Sequence, residues 1–279
     1  MNLGFFYWDP QREMFDWVIP FLNRPILWYG FFFAFGFFIA YWVLLYLLKQ
    51  YLSLFSRREA ATFYAEKITL YVIIGAIIGA RIGDILFYQD WAMIVQDPLA
   101  IFKIWQGGLA SHGGAIGILA SLYIFSKNTQ KKYSYFPYLT VLDLVVVPTA
   151  LAGSMIRIGN FFNQEVLGTP TDLPWAVFFA HPADGSAAVP RHPVQLYEAL
   201  FYLATFFFLL FLWKPLMQKK VEGKITGLFL LLVFLFRFCI EFFKEEQSAL
   251  LPTHSPLTMG QYLSIPLILL GAYLFFRKK

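Results

Sequence analysis

Residues 28–48 read WYGFFFAFGFFIAYWVLLYLL, an unbroken apolar stretch without a charged side chain. A helix needs about 20 mostly apolar residues to cross the hydrocarbon core of a bilayer. The apolar residues are continuous and do not alternate with a period of two, which favours a spanning helix over a strand of a membrane barrel. This stretch therefore predicts a transmembrane helix.

The composition of the whole chain agrees with this prediction. Of its 279 residues, 59% are apolar and 14% are charged, and 33 are phenylalanine. An ordinary soluble domain has about 25% charged and 45–50% apolar residues, so these values exclude a soluble domain as well as disorder, collagen and coiled coil. The single cysteine, Cys239, excludes an intrachain disulfide and a cysteine metal cluster. We expect an integral membrane protein.

Six further stretches satisfy the same criterion of length and composition. We predict an all-α integral membrane protein with one membrane-embedded domain over residues 1–279 and a small head outside the membrane, largely at 159–193. The seven predicted spans lie near residues 28–48, 68–88, 109–126, 138–158, 194–213, 225–243 and 258–276.

Lysine and arginine are unevenly distributed over the connections between these spans. Fourteen lie in one set of segments, at residues 49–67, 127–137, 214–224 and 277–279. Five lie in the other set, at residues 1–27, 89–108, 159–193 and 244–257. The positive-inside rule therefore predicts the N-terminus outside, the C-terminus inside and the head outside. The N-terminus has no basic region followed by a cleavage site, so we expect no removable signal peptide.

Three basic residues lie inside the predicted spans, namely Arg81, Arg157 and Arg237. With a rise of about 1.5 Å per residue, these three and His112 fall in the outer half of the membrane. Charges inside a membrane are costly and are functional candidates by default. A transporter site is expected near the midplane on interrupted helices, whereas a cluster in the outer half suits an anionic lipid headgroup.

Local ion pairs are the alternative explanation for these charges. Arg81 and Asp84 are three residues apart, and for this pair we favour a structural role. Arg237 and Glu241 are four residues apart on one helix face, and Lys244 follows three residues later. Glu241 can therefore neutralise its neighbours.

Two glycine-containing motifs lie at the outer side. The first, WQGGLASHGGAIG at residues 105–117, surrounds His112 with glycines that let backbone N–H groups approach a ligand. We favour a functional role for His112, because imidazole exchanges a proton near neutral pH. Three further glycines have a spacing that indicates helix packing instead: Gly75, Gly79 and Gly83.

The second motif, GSMIRIGNFFNQEVLGTPTD at residues 153–172, starts in the fourth span and emerges outside. Arg157 and Asn160 share a helix face if the helix continues, and Glu165 adds a carboxylate at the surface. The stretch PRHPVQLYE at residues 190–198 leads into the fifth span and by itself is also typical of a capped helix start.

These motifs together resemble those of the phosphatidylglycerol–prolipoprotein diacylglyceryl transferases. The matching patterns are GxxxRIGNFxNxE at 153–165, HGGxIG at 112–117 and RHPxQLYE at 191–198. The resemblance extends from Trp28–Gly30 to Met259–Pro266 and so covers nearly the whole chain. It implies a seven-helix enzyme of the bacterial inner membrane, with an active site that is open to the periplasm and to lipid.

The resemblance also implies an activity. The family transfers the diacylglyceryl group of phosphatidylglycerol to the thiol of the lipobox cysteine of a preprolipoprotein and releases glycerol phosphate. The expected partners are phosphatidylglycerol, the preprolipoprotein signal peptide and the lipid bilayer. No nucleic acid, cofactor or metal is expected.

Several positions of this chain match the family motifs. The expected catalytic residues are His112, Arg157 and Arg237. The expected substrate-binding residues are Tyr29, Asn160, Glu165, Gly168 and Glu241, to which we add Arg81 and His192 from their places in the spans and loops. The two catalytic arginines would bind the phosphate, and the histidine would either accept the thiol proton or only hydrogen-bond the lipid.

The chain departs from the family pattern at two positions. Lys244 stands where many members have arginine, and Gln164 stands where glycine is common. A lysine keeps the charge but loses the bidentate geometry with which arginine binds phosphate.

Three other classes of protein remain to be weighed. A membrane transporter for an anionic lipid or solute predicts inverted repeats, and we find no repeat between the halves of the chain. An intramembrane hydrolase using His112 or His192 would need a nucleophile, and no GxSxG motif occurs. A metal-dependent enzyme is disfavoured because there is no HExxH motif. We therefore favour the transferase.

Overall fold

The computed structural model describes residues 4–19, 24–87, 108, 110–219, 221–245 and 255–277. These residues are mostly helical. Their α-helices are α1 (Trp28–Ser53), α2 (Ala61–Phe87), α3 (Ser111–Gln130), α4 (Tyr138–Phe162), α5 (Val194–Gln218), α6 (Lys224–Ile240) and α7 (Met259–Phe276). Each corresponds to one of the predicted spans, although the predicted ends at residues 88 and 109 lie outside the described residues.

Six of these helices are long and apolar enough to cross a membrane, namely α1, α2, α4, α5, α6 and α7. The chain is therefore a multi-pass helical membrane protein. Helix α3 is a helix as predicted, but it begins with Ser-His-Gly-Gly and ends with Ser-Lys-Asn-Thr-Gln, which lowers its hydropathy. The seventh span and the orientation of the chain stay predictions.

Within the residues that the structure describes there are five short strands, which the apolar runs did not predict. They are β1 (Phe6–Trp8), β2 (Glu13–Ile19), β3 (Arg24–Leu27), β4 (Val177–Phe179) and β5 (Pro190–Arg191). Strand β4 pairs in parallel with β1 and antiparallel with β5, and β2 pairs antiparallel with β3. The three-stranded sheet therefore joins the N-terminal segment to the predicted head at 159–193.

The chain divides into two compact units, residues 1–43 with 145–279 and residues 44–144. We call them the large unit and the small unit and describe each by itself. The expectation of one domain over residues 1–279 stays a prediction.

The small unit is built on a close contact between α2 and α3. A Cβ atom added to Gly79 would lie 2.4 Å from the carbonyl oxygen of Gly113, and one added to Gly117 would lie 2.1 Å from that of Gly75. Such distances are too short for any side chain, so the two backbones touch. The packing role predicted for Gly75, Gly79 and Gly83 is confirmed.

The core of the head in the large unit lies at the end of α4. Phe161, Leu167, Val177 and Phe179 form a buried cluster there. Trp8 of β1 stacks on Phe161 with ring centroids 4.6 Å apart, and its indole Nε1 donates a hydrogen bond to the carbonyl oxygen of that residue at 3.0 Å. The sheet is thereby fixed to the segment that carries the second motif.

Candidate active site

Arg157 lies on α4 of the large unit, where it contacts two side chains. Its Nε is 3.0 Å from Oε2 of Glu198, a fully buried carboxylate on α5. Its Nη1 donates a hydrogen bond to Oδ1 of Asn160 at 3.1 Å. The helix continues past Arg157 to Phe162, so Arg157 and Asn160 share a helix face as predicted. The guanidinium is therefore held from two sides in a fixed orientation.

The same hydrogen-bonded chain continues to Glu165. Nδ2 of Asn160 donates to Oε1 of Glu165 at 2.6 Å, and the backbone N–H of Glu165 donates to the carbonyl oxygen of Asn160 at 3.1 Å. Nε2 of Gln195 on α5 donates to the carbonyl oxygen of Glu165 at 2.9 Å. The turn that follows α4 is thereby tied back to the helix end and to α5.

Lys244 completes this group from the other side. Its Nζ lies 2.9 Å from Oε1 of Glu198 and 3.2 Å from Oε1 of Glu241, and its side chain is 6% exposed. Glu198 therefore bridges Arg157 and Lys244, one cation on each oxygen. Because two carboxylates already hold its ammonium, Lys244 acts here as an anchor for the glutamates.

Arg237 on α6 has a different environment. Its Nε is buried and has no hydrogen-bond partner, and within the described part of the chain its guanidinium has no ion-pair partner. The expected pair with Glu241 does not form there, because Glu241 contacts Lys244 and accepts a hydrogen bond from Oγ1 of Thr258 at 3.3 Å. A buried guanidinium nitrogen without a partner is costly. Arg237 therefore carries a buried donor that no described residue uses.

Both arginines, Arg157 and Arg237, interact electrostatically with one tyrosine of α5, Tyr202. The hydroxyl group of Tyr202 on α5 lies within electrostatic range of both guanidinium groups. Tyr202 also donates a hydrogen bond to Oε1 of Glu198 at 3.3 Å. The two arginines predicted to be catalytic thus belong to one cluster of the large unit.

Gly168 and His192 lie together at the edge of this cluster. A Cβ atom on Gly168 would lie 2.3 Å from the carbonyl oxygen of His192, and Gly168 forms a β-bridge with Lys244. The ring of His192 packs edge-on against Phe243 with centroids 5.1 Å apart. Burial lowers the pKa of His192. Position 168 requires glycine because the Cβ atom of any other residue would clash with the backbone of His192.

Arg191 holds this edge in place. Its side chain is buried, and Nη1 donates to the carbonyl oxygen of Gly168 at 3.1 Å and to Oε1 of Glu245 at 2.6 Å. Nη2 donates to Oγ of Ser186 at 3.2 Å. One guanidinium thus joins three separate segments of the head.

Tyr29 lies at the first turn of α1, against the second motif. A Cβ atom on Gly159 would lie 3.0 Å from Cδ2 of Tyr29. The tyrosine thus belongs to the same unit as Arg157 and packs against α4 two residues after it.

Arg81 and His112 belong to the small unit. Nη1 of Arg81 lies 3.2 Å from Oδ2 of Asp84 and donates to the carbonyl oxygen of Gly108 at 3.0 Å. The structural ion pair predicted for Arg81 and Asp84 is therefore confirmed. His112 is the second residue of α3, is exposed, and packs edge-on against Phe87 at 5.3 Å. Residues 105–107 and 109 of the first motif lie outside the described residues.

Two members of the cluster were not among the predicted site residues. Glu198 was part of a stretch typical of a capped helix start, and Lys244 was expected as a neighbour of Glu241 and as a departure from the family pattern. The signal for Glu198 is its place in the PRHPVQLYE stretch, four residues inside a helix that is otherwise apolar, because a carboxylate buried there needs a cation.

The arrangement as a whole suits the binding of an anion. It combines an arginine on α4 that a carboxylate holds with an arginine on α6 that has a buried nitrogen without a hydrogen-bond partner. Over the ranges that the structure describes, no three histidine, cysteine, aspartate or glutamate residues are grouped so as to hold a metal ion.

Comparisons with known proteins agree on one family. A family model described as prolipoprotein diacylglyceryl transferase matches residues 17–277. Proteins named phosphatidylglycerol–prolipoprotein diacylglyceryl transferase are similar along nearly their whole length. That of Protochlamydia amoebophila is 34% identical, covering 99% of this chain and 96% of its own. That of Porphyromonas gingivalis is 39% identical (98% and 95%), and that of Chlamydia pneumoniae is 40% identical (96% and 93%). The chain belongs to the prolipoprotein diacylglyceryl transferase family.

Proposed function

We propose that this protein transfers the diacylglyceryl group of phosphatidylglycerol to the lipobox cysteine thiol of preprolipoproteins, forming a thioether and releasing glycerol phosphate. The observation that carries this proposal is Arg237, a guanidinium with a buried unpartnered nitrogen beside the Arg157 cluster, in a chain of this family. Family membership does not favour the alternative of a transporter for an anionic lipid or solute.

Arg157 and Arg237 would bind the phosphate of the lipid. The bond that breaks joins a carbon of the diacylglyceryl group to a phosphate oxygen, and negative charge develops on the leaving glycerol phosphate. Guanidinium groups aimed at those oxygens stabilise that charge in a water-poor site. The buried contact with Glu198 fixes the direction of Arg157 before the substrate arrives.

The acceptor thiol needs to lose its proton before it attacks. His112 is our choice for the proton acceptor, and its exposed position at the start of α3 leaves it accessible. Cys239 has no part in this scheme, because the nucleophilic thiol belongs to the polypeptide substrate. The remaining predicted residues would shape the substrate site, namely Tyr29, Arg81, Asn160, Glu165, Gly168, His192 and Glu241.

We also propose the topology of the chain. Seven spans with the N-terminus outside place the basic segments in the cytoplasm and the head on the periplasmic side of the bacterial inner membrane. The distribution of lysine and arginine supports this orientation. In this arrangement the active site faces the periplasm, where preprolipoproteins present their lipobox cysteine.

A transfer assay with purified protein tests the proposal. Vesicles containing phosphatidylglycerol are mixed with a lipobox peptide, and the thioether-linked diacylglyceryl peptide is measured by mass spectrometry. We expect product only with phosphatidylglycerol, a loss of at least 100-fold in Arg157→Ala, and little change in the exposed control Arg58→Ala. Turnover of Arg157→Ala near the wild-type value would contradict the proposed role of Arg157 in binding the lipid phosphate.

His112 needs a separate readout, because a base and a lipid ligand both lower the rate when removed. We expect His112→Gln to lose turnover while binding of phosphatidylglycerol is kept. If lipid binding falls in proportion to turnover, His112 is a ligand and the base lies elsewhere.

A further inference from the structure

A polar cavity lies in the large unit beside the second motif. Its volume is about 430 Å³, and its lining residues are Asp9, Pro10, Gln11, Arg12, Gln164 and His181. Ligand sites in proteins typically have volumes of about 300–1,000 Å³. The lining carries two amides, a carboxylate, an imidazole and a guanidinium, so it does not suit an acyl chain.

Gln164 is the most unusual residue of this lining. It is 1% exposed, and its backbone has a φ of +51°, in the left-handed region that favours glycine. Its Oε1 accepts a hydrogen bond from the backbone N–H of His181 at 2.7 Å. Its Nε2 has no hydrogen-bond partner among the residues that the structure describes. Because this NH₂ group is not completely enclosed by protein, it can donate to a ligand in the cavity.

A second unused donor lies in the same cavity. Asp9 is engaged, because its Oδ1 lies 2.8 Å from Nδ1 of His181. The backbone of Arg12 is fixed, because its carbonyl oxygen accepts a hydrogen bond from the backbone N–H of Trp28 at 3.1 Å. The guanidinium of Arg12 has no ion-pair or hydrogen-bond partner within the described ranges. The cavity therefore offers donors from two sides and a carboxylate on its wall.

The strand that leads into the cavity favours a polypeptide as the occupant. Strand β1 is at one end of the three-stranded sheet and ends at Trp8, directly before Asp9. Such an edge strand presents backbone N–H and C=O groups to which an extended peptide can pair. A peptide main chain also offers carbonyl groups to the amide and guanidinium donors. A phosphate would instead meet the carboxylate of Asp9.

We propose that this cavity binds the segment of the polypeptide substrate that follows the acceptor cysteine, in an extended conformation. Gln164 immediately precedes Glu165, which is joined through Asn160 to Arg157. A segment held at Gln164 therefore starts one residue away from the chain of hydrogen bonds that orients Arg157. This inference rests on the proposed function, since it names where that polypeptide lies.

Two peptides test the inference with the full-length protein in phosphatidylglycerol vesicles. One ends at the lipobox cysteine as a C-terminal amide, and the other continues for four residues. We expect wild type to prefer the longer peptide by about 10-fold in kcat/KM, which corresponds to about 1.4 kcal/mol, or one to two hydrogen bonds. Arg12→Ala and Gln164→Gly should bring this ratio close to one. The control Glu13→Ala, exposed and outside the cavity lining, should keep it.

The other possible outcomes contradict either the assignment of the cavity or the proposed function. Equal kcat/KM of wild type for both peptides, or an unchanged ratio in Arg12→Ala and Gln164→Gly, overturns the cavity assignment and leaves the transferase proposal intact. A variant that weakens inhibition by added glycerol phosphate without changing the ratio assigns the cavity to the phosphate product instead. Failure of wild type to modify either peptide overturns the proposed function itself.

Discussion

Replacing Glu198 with glutamine perturbs the candidate site at its most buried charge. The carboxylate is fully buried, and each of its oxygens faces a different cation, Arg157 at 3.0 Å and Lys244 at 2.9 Å. Glutamine has nearly the same shape but offers one acceptor and one NH₂ group. Whichever way the amide turns, its NH₂ group faces a cation.

The expected cost follows from that geometry. Breaking a buried ion pair while its partner remains costs about 3–5 kcal/mol. For a protein of this size, 1 kcal/mol changes Tm by about 2–4 °C, so Glu198→Gln should lower Tm by roughly 6–20 °C. A misplacement of about 1 Å in a catalytic group costs about 100-fold in rate, so kcat/KM should fall at least that far.

The assay combines tryptophan-fluorescence melting in detergent with the transfer assay. Glu59→Gln, the same substitution at an exposed carboxylate, serves as the control and should leave Tm nearly unchanged. An unchanged Tm and kcat/KM in Glu198→Gln would refute the bridging role of Glu198.

Three further outcomes follow from contacts and burial. Gly168→Ala should lower kcat/KM at least 10-fold and lower Tm, because its Cβ would lie 2.3 Å from the backbone oxygen of His192, which cannot give way; normal activity would contradict the steric role. Gly79→Ala should lower Tm, because its Cβ would lie 2.4 Å from a backbone oxygen of α3 and would separate α2 from α3. The control is Gly4→Ala, because a Cβ atom there would have no other atom within 4 Å. Burial lowers the pKa of His192, so the unfolded chain takes up its proton first and stability should fall as pH drops below about 6.5. His192→Gln should flatten that dependence of Tm on pH, and an identical dependence in both proteins would exclude His192 as its source.

The helices could be predicted because their signal is local and strong. Each helix is indicated by the length and composition of its own apolar stretch. The start of α1 at Trp28 was predicted to the residue. Several helices continue beyond the predicted ends, α5 to Gln218 and α1 to Ser53, because polar residues continue a helix outside the apolar core. The strands of two to seven residues carried no comparable signal, since so short a run cannot show a period of two.

The candidate site could be predicted only in part, for the same reason. The pair of Arg81 and Asp84 is three residues apart on one helix, so its spacing alone predicted it. The contact of Lys244 with Glu198 joins residues 46 apart and depends on how α5 packs against the end of α6. A single sequence gives no indication of that packing, so the pair of Arg237 with Glu241, four residues apart on one helix, was expected from its spacing.

The most direct test is a structure of the protein with phosphatidylglycerol. We predict density for the lipid phosphate within hydrogen-bond distance of the guanidinium groups of both Arg157 and Arg237, with Glu198 still in contact with Arg157. Phosphate density away from both arginines, in a preparation that transfers the diacylglyceryl group, would contradict their assigned role.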